Sequence, residues 1–221
     1  THSDSSAASD VYKRQQEGID ASADGDAVIV MPGTYVGAIQ FLGKKVSVVA
    51  IGGPDVTVID GDGDTAVEMA VLATSGGKSV LDGFTVTGGT NLDPQFLGGG
   101  IRAGMSAVVR NCVVVGNVIF ENVFGGGEFI PGGILARNDA IIEDCEILNN
   151  HGGAAGGILI DSDDVIVRRC LISGNSGWNW GGGVEFDGSP SGPNVGLLED
   201  CIIENNTGGF GIDFNAWYPA G

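Results

Sequence analysis

Apolar residues in this chain fall on alternate positions in short runs separated by glycine-rich punctuation, and helical spacing is nearly absent. Alternation with a period of two is the mark of a strand that buries one face. Ala27 to Val30, Val46 to Ala50 and Val56 to Ile59 read as strands, with Pro32-Gly33-Thr34-Tyr35, Gly52-Gly53-Pro54 and Gly61-Asp62-Gly63-Asp64 as turns. Further on, the runs repeat one unit. A Gly-Gly pair leads to a branched apolar residue, an alternating stretch, a cysteine, and an asparagine five positions beyond the cysteine. The copies run from Gly100-Ile101 to Cys112 and Asn117, Gly133-Ile134 to Cys145 and Asn150, Gly157-Ile158 to Cys170 and Asn175, and Gly183-Val184 to Cys201 and Asn206. Val80 to Val86 aligns with Val108 to Val114 as a degenerate copy, with Phe84 at the cysteine position. Successive cysteines lie 33, 25 and 31 residues apart. A unit of this length built from β-type alternation predicts a β-solenoid, in which each copy forms one turn, or rung, of a stack.

The rung hypothesis carries an internal check. Two residues before the cysteine position stand Asp82, Arg110, Glu143, Arg168 and Glu199. Stacked rungs place these about 4.8 Å apart, where alternating sign attracts and like sign repels. The cysteines fall in the inward phase, as small core groups that stay reduced. Stacked thiols are poorly placed for disulfides, and metal-type Cys-x2-Cys spacing is missing. The asparagines are expected to stack at a turn and bond to one another and to its backbone.

Composition narrows the class. The formal charge is −18, from 28 acidic and 10 basic residues. That leaves no electrostatic footprint for nucleic acid or anionic membrane. Forty glycines would suggest low complexity, but a hydrophobic content of 43% in alternating runs can fill a core. No apolar run is long enough for a membrane-spanning helix. Residues 1–15 resemble the translation of a sequencing adapter and are set aside as non-native. The remaining 16–221 form one domain, expected to be truncated at both ends. Gln16 to Ala21 reads as the remnant of an N-terminal cap.

The Gly-Asp, apolar strand and Pro-Gly-Thr-Tyr opening, followed by Gly-Gly-Ile and Cys-x4-Asn rungs, resembles the right-handed parallel β-helix proteins of the pectate-lyase-like superfamily. The Gly-Gly-Ile and asparagine repeats are also similar to those of polymorphic outer-membrane proteins. The resemblance implies an all-β, single-stranded right-handed parallel β-helix at an extracellular or cell-surface location. It implies fold more than activity, because the scaffold carries lyases, hydrolases, esterases, adhesins and autotransporter passengers.

Candidate chemistry lies on the outward face of the Gly-Gly strands. Their first outward column reads Arg102, Leu135, Leu159, Glu185, Asp213, and the second reads Gly104, Arg137, Asp161, Asp187, Asn215. Asp161, Glu185, Asp187 and Asp213 thus gather as an acidic cluster that could serve as paired carboxylates of a glycoside hydrolase. Asp161, Glu185 and Asp187 are alternatively candidate ligands of a Ca²⁺ ion that binds an acidic sugar, with Arg137 assisting proton removal, an arrangement that resembles the superfamily's polysaccharide lyases. Trp178 and Trp180 offer an apolar platform to a sugar ring. Insertions at Thr90 to Leu97 and Val118 to Pro131 are expected to wall a groove. Asp163-Asp164 is similar to the paired aspartates of polygalacturonases, but that family's Gly-His-Gly and Arg-Ile-Lys elements are missing. His151 stands after the asparagine column, and the sequence places no serine or cysteine nucleophile beside it. The expected role is recognition of a polysaccharide or surface partner by a monomer. A polysaccharide lyase or glycoside hydrolase is the alternative, and a non-catalytic passenger or stalk the third.

Overall fold

The computed structural model describes residues 15–69, 77–90, 99–119, 130–162, 164–178, 181–187, 196–209 and 214–217. Each turn of the chain contributes one strand to each of three seven-stranded sheets. The first sheet runs Ala27–Val30, Ser47–Ala50, Ser79–Asp82, Ala107–Arg110, Ile141–Glu143, Ile166–Arg168 and Leu197–Glu199. The second runs Gly33–Val36, Thr57–Asp60, Thr85–Thr87, Val113–Val115, Glu146–Leu148, Leu171–Ser173 and Ile202–Glu204. Ile39–Gln40, Val67–Glu68, Ile101–Ala103, Ile134–Ala136, Ile158–Ile160, Val184–Asp187 and Phe214–Trp217 make the third. Strand pairing within these sheets is parallel, as between Ile134 and Ile158 or Ile141 and Ile166. One expectation is corrected here. Pro32-Gly33-Thr34-Tyr35 opens a strand of the second sheet rather than a turn, because Tyr35 points into the core and donates its hydroxyl to Met31 O at 2.7 Å.

Inward residues of all three walls form a single continuous core. Ile101, Ile134, Ile158 and Val184 from the third sheet are fully buried, as are Val114, Ile147 and Ile172 from the second and Val109, Ile142 and Val167 from the first. Phe84 takes the cysteine position of its rung and is also fully buried. Cys112, Cys145 and Cys170 continue that column in the reduced state, and Cys201 is partly buried in the last rung. Each thiol donates to the carbonyl two residues earlier, at 3.1 Å for Cys145 and Glu143. Neighbouring Cys112 and Cys170, together with burial, hold the Cys145 thiol well above its ordinary pKa.

The corners are where the repeat earns its residue types. The residue before each cysteine position has positive φ, at Gly83, Asn111, Asp144, Arg169 and Asp200. So does the residue before each ladder position, at Gly88, Gly116, Asn149, Gly174 and Asn205. Glycine, asparagine and aspartate tolerate this left-handed backbone best, and Arg169 is the exception. Arg169 is tied down by Asp144, which receives its Nη2 at 2.6 Å and whose own pKa that bond lowers. The Gly-Gly pairs answer a different demand. A Cβ on Gly133 would lie 2.4 Å from Gly157 O, and one on Gly157 would lie 2.4 Å from Gly183 O. Successive rungs approach too closely there for any side chain.

The charged column stands in the expected register, Asp82 beside Arg110, Arg110 beside Glu143, Glu143 beside Arg168, and Arg168 beside Glu199. Arg110 pairs with Asp82 at 2.8 Å and Arg168 with Glu143 at 2.6 Å. At the N-terminal end a helix over residues 15–21 covers the core through Ile19. Its Gln16 side chain imitates a strand, accepting from Gln40 N at 2.9 Å and donating to Gln40 O at 3.1 Å. Lys44 Nζ meets the carbonyls of Ile19 and Asp20 at 2.7 Å.

Candidate functional site on the third sheet

The asparagine ladder fixes where the third sheet begins. Asn117, Asn150, Asn175 and Asn206 are almost wholly buried. The Oδ1 atoms of Asn150, Asn175 and Asn206 each accept from the backbone and side-chain amides of the asparagine one rung earlier, at 2.9 to 3.0 Å throughout. Each Nδ2 also donates to a carbonyl of the preceding rung, such as Val114 O for Asn150. In the degenerate rung Gly89 N–H takes the asparagine's place as donor to Asn117 Oδ1, at 2.9 Å.

From this corner the Gly-Gly pairs lead into the third sheet, whose register sets the outward columns. Leu135, Leu159 and Glu185 are adjacent in the first column, as the sequence indicated. This column is nevertheless covered. Ala154 and Ala155, from the segment that turns out of the ladder, pack on Leu135 and Leu159 as a small second core. Glu185 is 3% exposed, and its Oε2 accepts from Gly181 N–H at 2.9 Å. Glu185, which the sequence assigns to an outward acidic cluster, is therefore a buried carboxylate that organises the loop before its own strand. Towards the N-terminus the same column carries the ion pair of Arg102 with Glu68, at 3.0 Å.

Asp213 lies outside the described residues, and the register corrects its column. Val184 pairs with Phe214, so Asn215 rather than Asp213 stands beside Glu185, and Trp217 rather than Asn215 beside Asp187. Trp180 and Asp163 also lie outside the described residues, as do most of the two insertions expected to wall a groove.

The second outward column does come together. Arg137 and Asp161 directly follow their strands and Asp187 ends its own, at equivalent positions on consecutive rungs, and all three are half-buried. The Arg137 guanidinium binds the Asp161 carboxylate directly. Burial raises the Asp187 pKa, the Asp161 charge raises it further, and Arg137 partly offsets both. Among the described residues no group of three or more histidine, cysteine or acidic side chains is arranged to hold a metal ion. Of the three residues expected to hold Ca²⁺, Glu185 accepts from Gly181 and Asp161 pairs with Arg137.

Trp178 is half-buried at the corner, its backbone N–H donating to Gly152 O at 3.1 Å. Its ring meets His151 edge to face, with centroids 4.8 Å apart. A serine does stand beside His151, contrary to expectation. Ser176 occupies the equivalent position of the next rung, and its Oγ lies 2.5 Å from His151 Nδ1. The signal was available in the chain, because Asn150-His151 and Asn175-Ser176 share one offset from the ladder.

The family model for the right-handed β-helix region matches residues 68–219. The chain belongs to the right-handed β-helix family. That assignment gives the hand of the coil and agrees with the three stacked parallel sheets of this β-helix. Among solved structures, an alginate lyase from Paenibacillus sp. str. FPU-7 is similar over 87% of this chain and 72% of that one, at 17% identity and a TM-score of 0.25. Comparison with curated proteins finds no match.

Proposed function

We propose that this β-helix recognises a polysaccharide outside the cell or at its surface, as a monomer, through the outer face of its third sheet. The observation that carries the reading is the column of Arg137, Asp161 and Asp187, three half-buried polar side chains on consecutive rungs beside a column sealed by leucines. A rigid scaffold that repeats polar groups about every 4.8 Å suits a ligand that repeats hydroxyls along an extended chain. A planar guanidinium beside carboxyls supplies both donors and acceptors at fixed angles. Net charge of −18 disfavours nucleic acid as the partner.

One observation favours cleavage as the second reading. Asp187 retains its proton more readily than an ordinary aspartate, as a general acid requires, on the rung next to a second carboxyl that Arg137 binds. The test is a panel of neutral and uronate polysaccharides assayed in parallel for binding, for new reducing ends and for unsaturated products. Binding without product supports recognition. Product formation that Asp187→Asn abolishes establishes the enzyme, and neither binding nor product across the panel overturns both readings.

A further inference from the structure

We propose that His151, Ser176 and Trp178 form a second saccharide subsite, which takes an uncharged, hydroxyl-bearing sugar ring at the corner between the second and third sheets. The proposal rests on the polysaccharide reading above and adds a location and a ligand class to it.

The ladder asparagines hold the corner, so the residue immediately after each one is delivered to a fixed place. Those residues are Val118, His151, Ser176 and Thr207, joined rung to rung by parallel bridges. Valine serves at one end of this column, so the turn itself does not demand a polar side chain there. The corner's hydrogen bonds are already made by the ladder, as in His151 N to Asn117 O and Ser176 N to Asn150 O, both at 2.9 Å. Yet two adjacent rungs carry an imidazole and a hydroxyl in contact at 2.5 Å, and an indole is set against the imidazole. All three side chains are half-buried, neither packed into the core nor free to rotate in solvent. Backbone pairing of His151–Gly152 with Ser176–Gly177 fixes their separation, and the Trp178 backbone N–H donates to Gly152 O.

An indole set against an imidazole that in turn meets a hydroxyl is an amphipathic set. The indole offers an apolar surface to the C–H face of a pyranose, while the polar pair offers donors and acceptors to ring hydroxyls. Preorganisation keeps the ordering cost of binding small. The set contains no fixed cation and stands on a chain of net charge −18, which favours a neutral ring over a uronate.

Calorimetric titration with cellohexaose, mannohexaose and xylohexaose, and with oligogalacturonate and oligoalginate for contrast, tests the assignment. At least one neutral hexaose should bind, with Trp178→Ala weakening it about tenfold and Ser176→Ala about threefold to tenfold. Ser176→Ala and His151→Gln leave the fold's core untouched and keep the test decisive if Trp178→Ala fails to fold. Unchanged neutral-sugar affinity in Ser176→Ala and His151→Gln, or binding of uronates alone that only Arg137→Ala abolishes, overturns the subsite while leaving the polysaccharide reading intact. Failure of every oligosaccharide to bind the unaltered protein overturns both.

Discussion

Asn150 Oδ1 accepts two hydrogen bonds from Asn117, one from its backbone N–H at 3.0 Å and one from its side-chain amide at 2.9 Å. Asn150 in turn sends its own two amide groups to Asn175 Oδ1. The result is a chain of buried amides in which the loss of one member strands groups on the rungs either side. Replacing Asn150 by leucine takes the acceptor from Asn117 N–H and the side-chain donor from Val114 O, and leaves Asn117 Nδ2 with Val86 O alone, in a site that water does not reach. At roughly 1–3 kcal/mol for a stranded buried group, the expected loss is about 3–5 kcal/mol, a large part of the stability of an ordinary domain. Urea unfolding followed by circular dichroism checks this, and Asn150→Leu should unfold at a much lower midpoint than the parent.

Gly133→Ala tests the close approach of neighbouring rungs. The new methyl would meet backbone rather than a flexible side chain, Gly157 O at 2.4 Å, so the rungs themselves must part. Overpacking of this kind costs about 1–3 kcal/mol, and thermal unfolding should show a lower Tm. An unchanged Tm would mean that the glycine pairs are not set by inter-rung distance.

Asp187 makes stability depend on pH in a defined direction. Its folded pKa lies above the unfolded value near 3.9, so its contribution is complete below that pH and is lost as pH rises through the folded value. At neutral pH the ionised carboxylate is therefore a burden on the fold. Asp187→Asn should raise Tm at pH 7 by on the order of a degree or two, since partial exposure screens the charge, and the difference should close near pH 3.5. A larger gap at low pH than at neutral pH would contradict the burial argument.

Periodicity made the stack legible in the chain. The core column through Cys112, Cys145 and Cys170, the ladder through Asn117 to Asn206 and the alternating charges from Asp82 to Glu199 all repeat at a fixed offset, and the register confirms them. Asp213 was misplaced for a physical reason. A slip of two residues keeps every side chain on its original face, so alternation alone does not distinguish Ile212 from Phe214 as the partner of Val184. The covering of the first outward column was not legible either, because Leu135 and Leu159 are packed by Ala154 and Ala155, and Glu185 is bonded by Gly181, all from segments outside the alternating pattern. His151 and Ser176 share an offset in plain view, but their contact becomes meaningful only once consecutive rungs are known to touch.

Affinity of two arginine variants for the oligosaccharide that the protein binds best tests the account most directly. Arg137 lies on the third sheet with Asp161, and Arg110 lies on the first sheet with Asp82. Arg137→Ala is expected to weaken binding about tenfold or more, the loss of a charge-assisted contact of about 1.5 kcal/mol, while Arg110→Ala leaves it unchanged. Equal affinity of Arg137→Ala and the parent, or an equal loss in both variants, would contradict recognition through the third sheet.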